Sequence, residues 1–224
     1  MRFRNRTEAG EKLSSRLLHL THESPVVLAL PRGGLPVAFE VAKALSAPID
    51  LIMVRKIGVP CQQELAAAAV VDGDDPQIVE NPEIVETFRL SEDFIKEEAD
   101  KQLQEIERRR RLYLGERERV AVRGRTVVVV DDGIATGATV RAALKAVRKA
   151  GAQRVVLAVP VAPPETIETL RAETDEIVCL STPAFFGGIS MFYADFHQVS
   201  DDEVVDLLKR AAEFVGQKPT AKEE

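Results

Sequence analysis

The sequence predicts a doubly wound α/β fold, a mostly parallel sheet flanked by helices, and three observations carry that prediction. Short strand-like runs recur at 26–30, 49–54, 127–130, 154–159 and 176–180. The clearest of them, Val127-Val128-Val129-Val130, is apolar and unbroken, as in a strand buried on both faces of a parallel sheet. Helix formers at helical spacing separate most of these runs, and strand–helix alternation places crossover helices over such a sheet. The segments after 26–30 and 127–130 are glycine-rich and small, at the strand ends where open α/β sheets bind ligands.

The elements follow in order. A charged N-terminal helix is expected over about 7–20, then the strand 26–30, which ends in Pro31-Arg32-Gly33-Gly34. A helix over 36–45 tolerates Pro36 in its first turn. The strand 49–54 is followed by Arg55-Lys56 and a loop through Gly58, Pro60 and Gln63. Residues 64–71 are alanine-rich and fit a strand or a short helix, and Asp72-Gly73-Asp74-Asp75-Pro76 then forces a turn. Ser91 opens a long polar helix to about Leu114, with Phe94, Ile95, Ala99, Leu103, Ile106 and Tyr113 as its apolar stripe. Pro163-Pro164 starts the helix after 154–159. The segment 183–197 is irregular and aromatic, and Ser200 with Glu203 forms a capping box for the last helix, which should end before Gly216.

The most informative stretch is Val127 to Thr139. Two carboxylates, Asp131 and Asp132, end the valine strand, and Gly133-Ile134-Ala135-Thr136-Gly137-Ala138-Thr139 leads into a helix. Free backbone N–H groups at that helix start, with the Thr136 and Thr139 hydroxyls, suit a phosphate. The acids lie one short loop away, where they can hold sugar hydroxyls or face a positive centre. A phosphorylated sugar fits that layout.

This stretch resembles the loop of the type I phosphoribosyltransferases that binds PRPP (5-phosphoribosyl-1-pyrophosphate). The resemblance implies the fold of that family, with a small C-terminal hood at 183–197 and the long charged helix as an insertion. It implies that Asp131 and Asp132 are the catalytic acids and that Gly133, Ile134, Ala135, Thr136, Gly137, Ala138 and Thr139 bind the 5-phosphate. Arg32, Gly33 and Gly34 correspond to the pyrophosphate loop, and Lys56 to a PRPP-contacting basic position after the second strand. Gly58 to Glu64 would then close over PRPP. Mg²⁺ would arrive with PRPP, since the sequence contains no dedicated metal cage. Two departures stand out: Gly133 replaces the usual aliphatic residue or serine, and Ala135 replaces the aspartate that handles the purine proton in enzymes for 6-oxopurines. The likeness extends to functionally unassigned bacterial members, through Phe-Arg-x-Arg at 3–6, Leu-Pro-Arg-Gly-Gly at 30–34 and Tyr-x-Asp-Phe at 193–196.

The implied activity is transfer of the phosphoribosyl group to a nitrogenous base with release of pyrophosphate. The alternative is a regulator that senses PRPP or a nucleotide without turnover; PRPP synthesis normally needs a longer chain. The hood aromatics Phe185, Phe186, Phe192, Tyr193 and Phe196 would either stack on a flat base or pack the lobe onto the sheet, and Asp195 would assist metal or base contacts.

At 224 residues one domain over 1–216 is expected, with a flexible tail at 217–224. A net charge of −6 argues against broad binding to nucleic acid or anionic membrane. The basic stretch of Arg108 to Arg111, Arg117, Arg119, Arg123 and Arg125 reads as a solvated helix end or subunit contact rather than an RNA face. The two cysteines, Cys61 and Cys179, build no disulfide framework and suit a reducing cytoplasm. Arg2, Arg4 and Arg6 with Glu8 and Glu11 leave no apolar leader, and no run reaches membrane-spanning length. His19, His22 and His197 lack metal-ligand spacing, and neither a Rossmann nor a Walker glycine pattern is present. A homo-oligomer is compatible with the family, but no face is marked for it.

Overall fold

The computed structural model describes residues 1–60, 62–73 and 75–215. The chain opens with α1 (Arg6–Ser15) and a 3-10 segment (Leu18–Glu23), then β1 (Val26–Ala29), α2 (Gly34–Leu45) and β2 (Ile49–Leu51). An antiparallel ribbon of β3 (Val54–Val59), β4 (Gln62–Val71) and β5 (Gln77–Glu80) follows, with α3 (Pro82–Thr87) and the long α4 (Glu92–Leu114). The second half runs β6 (Thr126–Val130), α5 (Ala138–Lys149), β7 (Arg154–Val161), α6 (Pro164–Leu170), β8 (Glu176–Ser181) and α7 (Asp201–Val215).

The main sheet has the order β2-β1-β6-β7-β8, and every neighbouring pair is parallel. From β1 the chain builds outward to β2, and from β6 it builds the other way. The order therefore reverses between β1 and β6, whose registered pairs run from Val26 with Val127 to Ala29 with Val130. Their carboxyl ends flank one crevice.

Residues 127–130 are fully buried because both faces of β6 are covered. Side chains alternate across a strand, so Val128 and Val130 join Leu13, Leu35, Val41 and Leu208 on one face. Val127 and Val129 join Val140, Leu144 and Val147 of α5 on the other. The α4 stripe is as expected, with Ile95, Ala99, Ile106 and Tyr113 buried and Phe94 and Leu103 partly so. Ser200 and Glu203 make the reciprocal bonds of a capping box at α7, at 3.2 and 2.7 Å.

Several expectations change. The N-terminal α-helix stops at Ser15, and the remainder is the 3-10 segment. The run 49–54 is not one strand: β2 ends at Leu51, and Val54 begins β3 in the other sheet. Asp72 holds that corner, because its carboxylate and N–H both bond the backbone of Met53. The stretch expected as a loop at 55–63 is largely β3 and the start of β4. The alanine-rich stretch is a strand, since Ala68 and Ala69 are bonded between β3 and β5. Their small side chains leave room for the helices on both faces, so packing outweighs alanine's helix preference. Cys61, Gly216 and the tail at 217–224 lie outside the described residues.

The basic stretch is absorbed within the chain. Arg108 and Arg109 pair with Glu105, and Arg111 with Glu107. Arg110 points inward to Asp50 and Asp72 at 3.0 and 3.3 Å, and Arg119 reaches Asp72 at 2.7 Å. Among the described residues no helix is long and apolar enough to cross a membrane.

Candidate functional site

The site grows from the two strand ends at the crevice. Beyond β1, Leu30 N–H donates to the Val130 carbonyl at 2.9 Å, which ties the two exits together. The 31–34 loop, which begins with a cis Pro31–Arg32 peptide, then lies directly on the acid pair. A Cβ at Gly33 would collide with the Asp132 carboxylate, and one at Gly34 would stand 2.8 Å from the Val130 carbonyl and 2.9 Å from Asp131 Cα. Only glycine fits this approach.

Asp131 is half-buried, and its Oδ1 accepts a hydrogen bond from the Asp132 N–H at 2.8 Å. Burial, and then the neighbouring Asp132 charge, push its carboxyl well above the usual range. Burial also raises Asp132, but the guanidinium of Arg6 opposes that shift. Arg6 Nε lies 2.8 Å from Asp132 Oδ2, with the two side chains only 8% and 10% exposed.

The segment between β6 and α5 is a short loop that runs from strand to helix. Gly137 caps α5 with φ 76°, and no side chain occupies the cap. The first intrahelical bond there runs from Arg141 N–H to the Gly137 carbonyl, and the N–H groups of a helix's first turn have no intrahelical partner. Thr136 and Ala138 are exposed, Thr139 is half-buried, and the Thr166 hydroxyl holds the Ala135 carbonyl at 2.7 Å. Ile134 is buried and its N–H bonds the Val161 carbonyl at 2.9 Å. The unusual Gly133 has a local cause: a Cβ there would lie 2.7 Å from Ile189 Cγ2 of the hood.

The hood is stitched to the N-terminus. Phe3 N–H donates to the Phe192 carbonyl, while Ala194 and Asp195 N–H donate to the carbonyls of Phe3 and Arg4. Tyr193 is buried against Phe3, and its hydroxyl donates to the Asp132 carbonyl at 2.6 Å. Arg6 covers the Phe196 ring at 3.9 Å from its centroid. Tyr193 and Phe196 therefore pack the lobe, Tyr193 buried and Phe196 half-buried. Phe185, 77% exposed, and the stacked pair Phe186–Phe192 keep the outer lip aromatic. Asp195 bonds His197.

Two expected contributors stand apart from the acid pair. Arg32 turns to Asp201 of α7 at 3.2 Å, and Tyr113 of α4 shares the same carboxylate oxygen at 2.6 Å. Lys56 is exposed on β3, in the ribbon rather than in the main sheet that carries the acid pair. A cavity of about 340 Å³ opens between Arg6, Arg32, Gly33, Asp132, Phe196 and His197. A larger one of about 440 Å³ lies between α5 and the ribbon, and none of the expected site residues lines it. Among the described residues no group of three or more His, Cys, Asp or Glu side chains converges as a metal cage.

Residues 5–197 match the phosphoribosyl transferase domain family. The chain belongs to that family. Two Mycobacterium tuberculosis proteins, from strains CDC 1551 and H37Rv and each provisionally named a phosphoribosyl transferase, are 47% identical to it over 209 residues. That alignment takes in 93% of this chain and 47% of each relative, so the chain spans about half the length of the curated proteins it matches. Among solved structures, the Thermus thermophilus protein TT1426 is 43% identical with a TM-score of 0.79, over 94% of this chain and 99% of that one. The chain thus has the fold of that family, a parallel sheet flanked by helices, as the sequence predicts.

Arg6 is a site neighbour that the sequence does not announce. Its one signal is its place in the Phe-Arg-x-Arg start, because its partner lies 126 residues away.

Proposed function

We propose that this phosphoribosyltransferase transfers the 5-phosphoribosyl group of PRPP to a nitrogenous base and releases pyrophosphate. The bond from ribose C1 to the pyrophosphate oxygen breaks, C1 joins a ring nitrogen, and that nitrogen's proton leaves. The observation that carries this reading is the contact of the Gly33-Gly34 loop with Asp131 and Asp132 across the β1–β6 crevice. It sets a glycine loop suited to pyrophosphate against carboxylates suited to ribose.

In this reading the N–H groups from Ala135 to Thr139, with the Thr136 and Thr139 hydroxyls, hold the 5-phosphate at the start of α5. Asp131 and Asp132 hold the ribose 2- and 3-hydroxyls and stabilise the positive charge that grows on the ring. Arg32 and Lys56 face the leaving pyrophosphate, which requires Arg32 to exchange Asp201 for substrate and the ribbon to bring Lys56 to the crevice. The hard carboxylate oxygens of the acid pair fit a Mg²⁺ ion carried in by PRPP, which would neutralise charge on the leaving group. With Ala135 in place of an acid, a 6-oxopurine acceptor loses the usual proton-handling group. Salvage of another base in the cytoplasm is the setting this implies.

A second reading, a PRPP or nucleotide sensor, draws on one observation. Asp132 and Arg32 are already paired within the chain, with Arg6 and Asp201. Incubation with PRPP, Mg²⁺ and a panel of bases, with pyrophosphate release measured, separates the two. Release with one base supports transfer; tight PRPP binding without release on any base supports the sensor. Absence of PRPP binding overturns both.

A further inference from the structure

Arg6 opens α1, and its side chain runs beneath the hood. Nε donates to Asp132 Oδ2 at 2.8 Å, Nη1 donates to the His197 carbonyl at 2.8 Å, and the guanidinium lies over Phe196. Asp132 is held from other sides as well. Tyr193 Oη fixes its carbonyl, and Gly33 abuts its carboxylate. Its second carboxylate oxygen, Oδ1, accepts no hydrogen bond from another side chain among the described residues. One oxygen is committed and the other open.

We propose that Arg6 is a positioning residue for phosphoribosyl transfer, clamping Asp132 Oδ2 so that Oδ1 is presented to the ribose hydroxyls. The segment 3–6 thereby belongs to the active site. The inference rests on the PRPP reading above. A staple for the fold alone does not account for the arrangement, because a buried ion pair adds little over apolar packing once desolvation is counted. Arg6 also makes the two neighbouring acids unequal. The charged and titratable groups around the pair are Arg6 from α1, Tyr193 from the hood and the two acids themselves. Arg32 is turned to Asp201, and the His197 ring to Asp195 and Glu203. Of the two acids, Asp132 is the one with a cation in contact among the described residues.

The test uses the full chain with Arg6→Met, which keeps an apolar stem against Phe196, and Arg6→Lys, which keeps the charge. Melting curves establish folding, and calorimetry with PRPP and Mg²⁺ reads affinity. Arg6→Met should bind PRPP about tenfold or more weakly, and Arg6→Lys, which keeps a cation beside Asp132, should restore most of that affinity. A folded Arg6→Met with wild-type affinity overturns the inference, as does a folded Arg6→Lys that loses about tenfold or more. Wild-type protein that fails to bind PRPP overturns the underlying reading instead.

Discussion

The Cβ position of Gly33 falls within the carboxylate of Asp132, so the first loop of the sheet and its acid pair are pressed into contact without room for a methyl group. Gly33 has φ −61°, so alanine would suit its backbone, and only the neighbour forbids it. Gly33→Ala should abolish PRPP binding and cost about 1–3 kcal/mol of stability, as overpacking does. Gly73→Ala, whose Cβ would meet nothing closer than 3.6 Å among the described residues, is the control and should change neither. Urea denaturation and PRPP titration of the two variants check this.

Gly133 and Ile189 form a complementary pair, since the hood isoleucine occupies the space of the missing side chain. Gly133→Ala alone should destabilise the protein and displace the hood. Adding Ile189→Ala should recover part of the loss, with a coupling energy of about 0.5–3 kcal/mol. A double-mutant cycle in urea measures it, and strictly additive losses would refute the pairing.

Asp131 should show a conflict between stability and activity. Its carboxyl titrates well above the usual range, mainly through burial. The folded state therefore binds the proton more tightly than the unfolded state, and stability falls as pH rises from the unfolded value through the folded one. Asp131→Asn removes that loss. It should melt higher than the wild type at neutral pH, with the gain vanishing below the ordinary aspartate range. Turnover should drop about 10²–10³-fold, as when one transition-state contact is removed. Melting curves from acid to neutral pH with pyrophosphate release test both halves.

The arginines of α4 should separate sharply. Arg110→Met leaves Asp50 and Asp72 buried with less cation between them and should cost about 3–5 kcal/mol. Arg111→Met breaks only an exposed pair with Glu107 and should cost under about 1 kcal/mol. Equal effects in chemical denaturation would contradict this division.

The parts legible in the sequence are those whose physics is local or whose spacing is short. The valine run, the Thr-Gly turn, the capping box at Ser200 and the apolar stripe of α4 each declare themselves within a few residues. The ribbon is obscured because alanine runs favour helix in isolation, and only β3 and β5 on either side make β4 a strand. Ile52 and Met53 give no sign of the break after β2, since the side chain that holds the corner, Asp72, comes 19 residues later. Within a run of four arginines, nothing local distinguishes Arg110 from its neighbours. Its inward direction follows from its alignment with Ile106 and Tyr113, which becomes decisive only once two acids wait beneath it. Arg6 is hidden for the same reason, at a greater distance.

The backbone bonds between Phe3 and residues 192–194 give the protein a schedule as well as a shape. During synthesis at roughly 5–20 residues per second, the first strand of this closure waits on the order of ten to forty seconds for its partner to be made. Asp132 and the phosphate turn emerge well before the hood that covers them. The acid pair can thus be assembled before the segment that packs over Asp132 has been made.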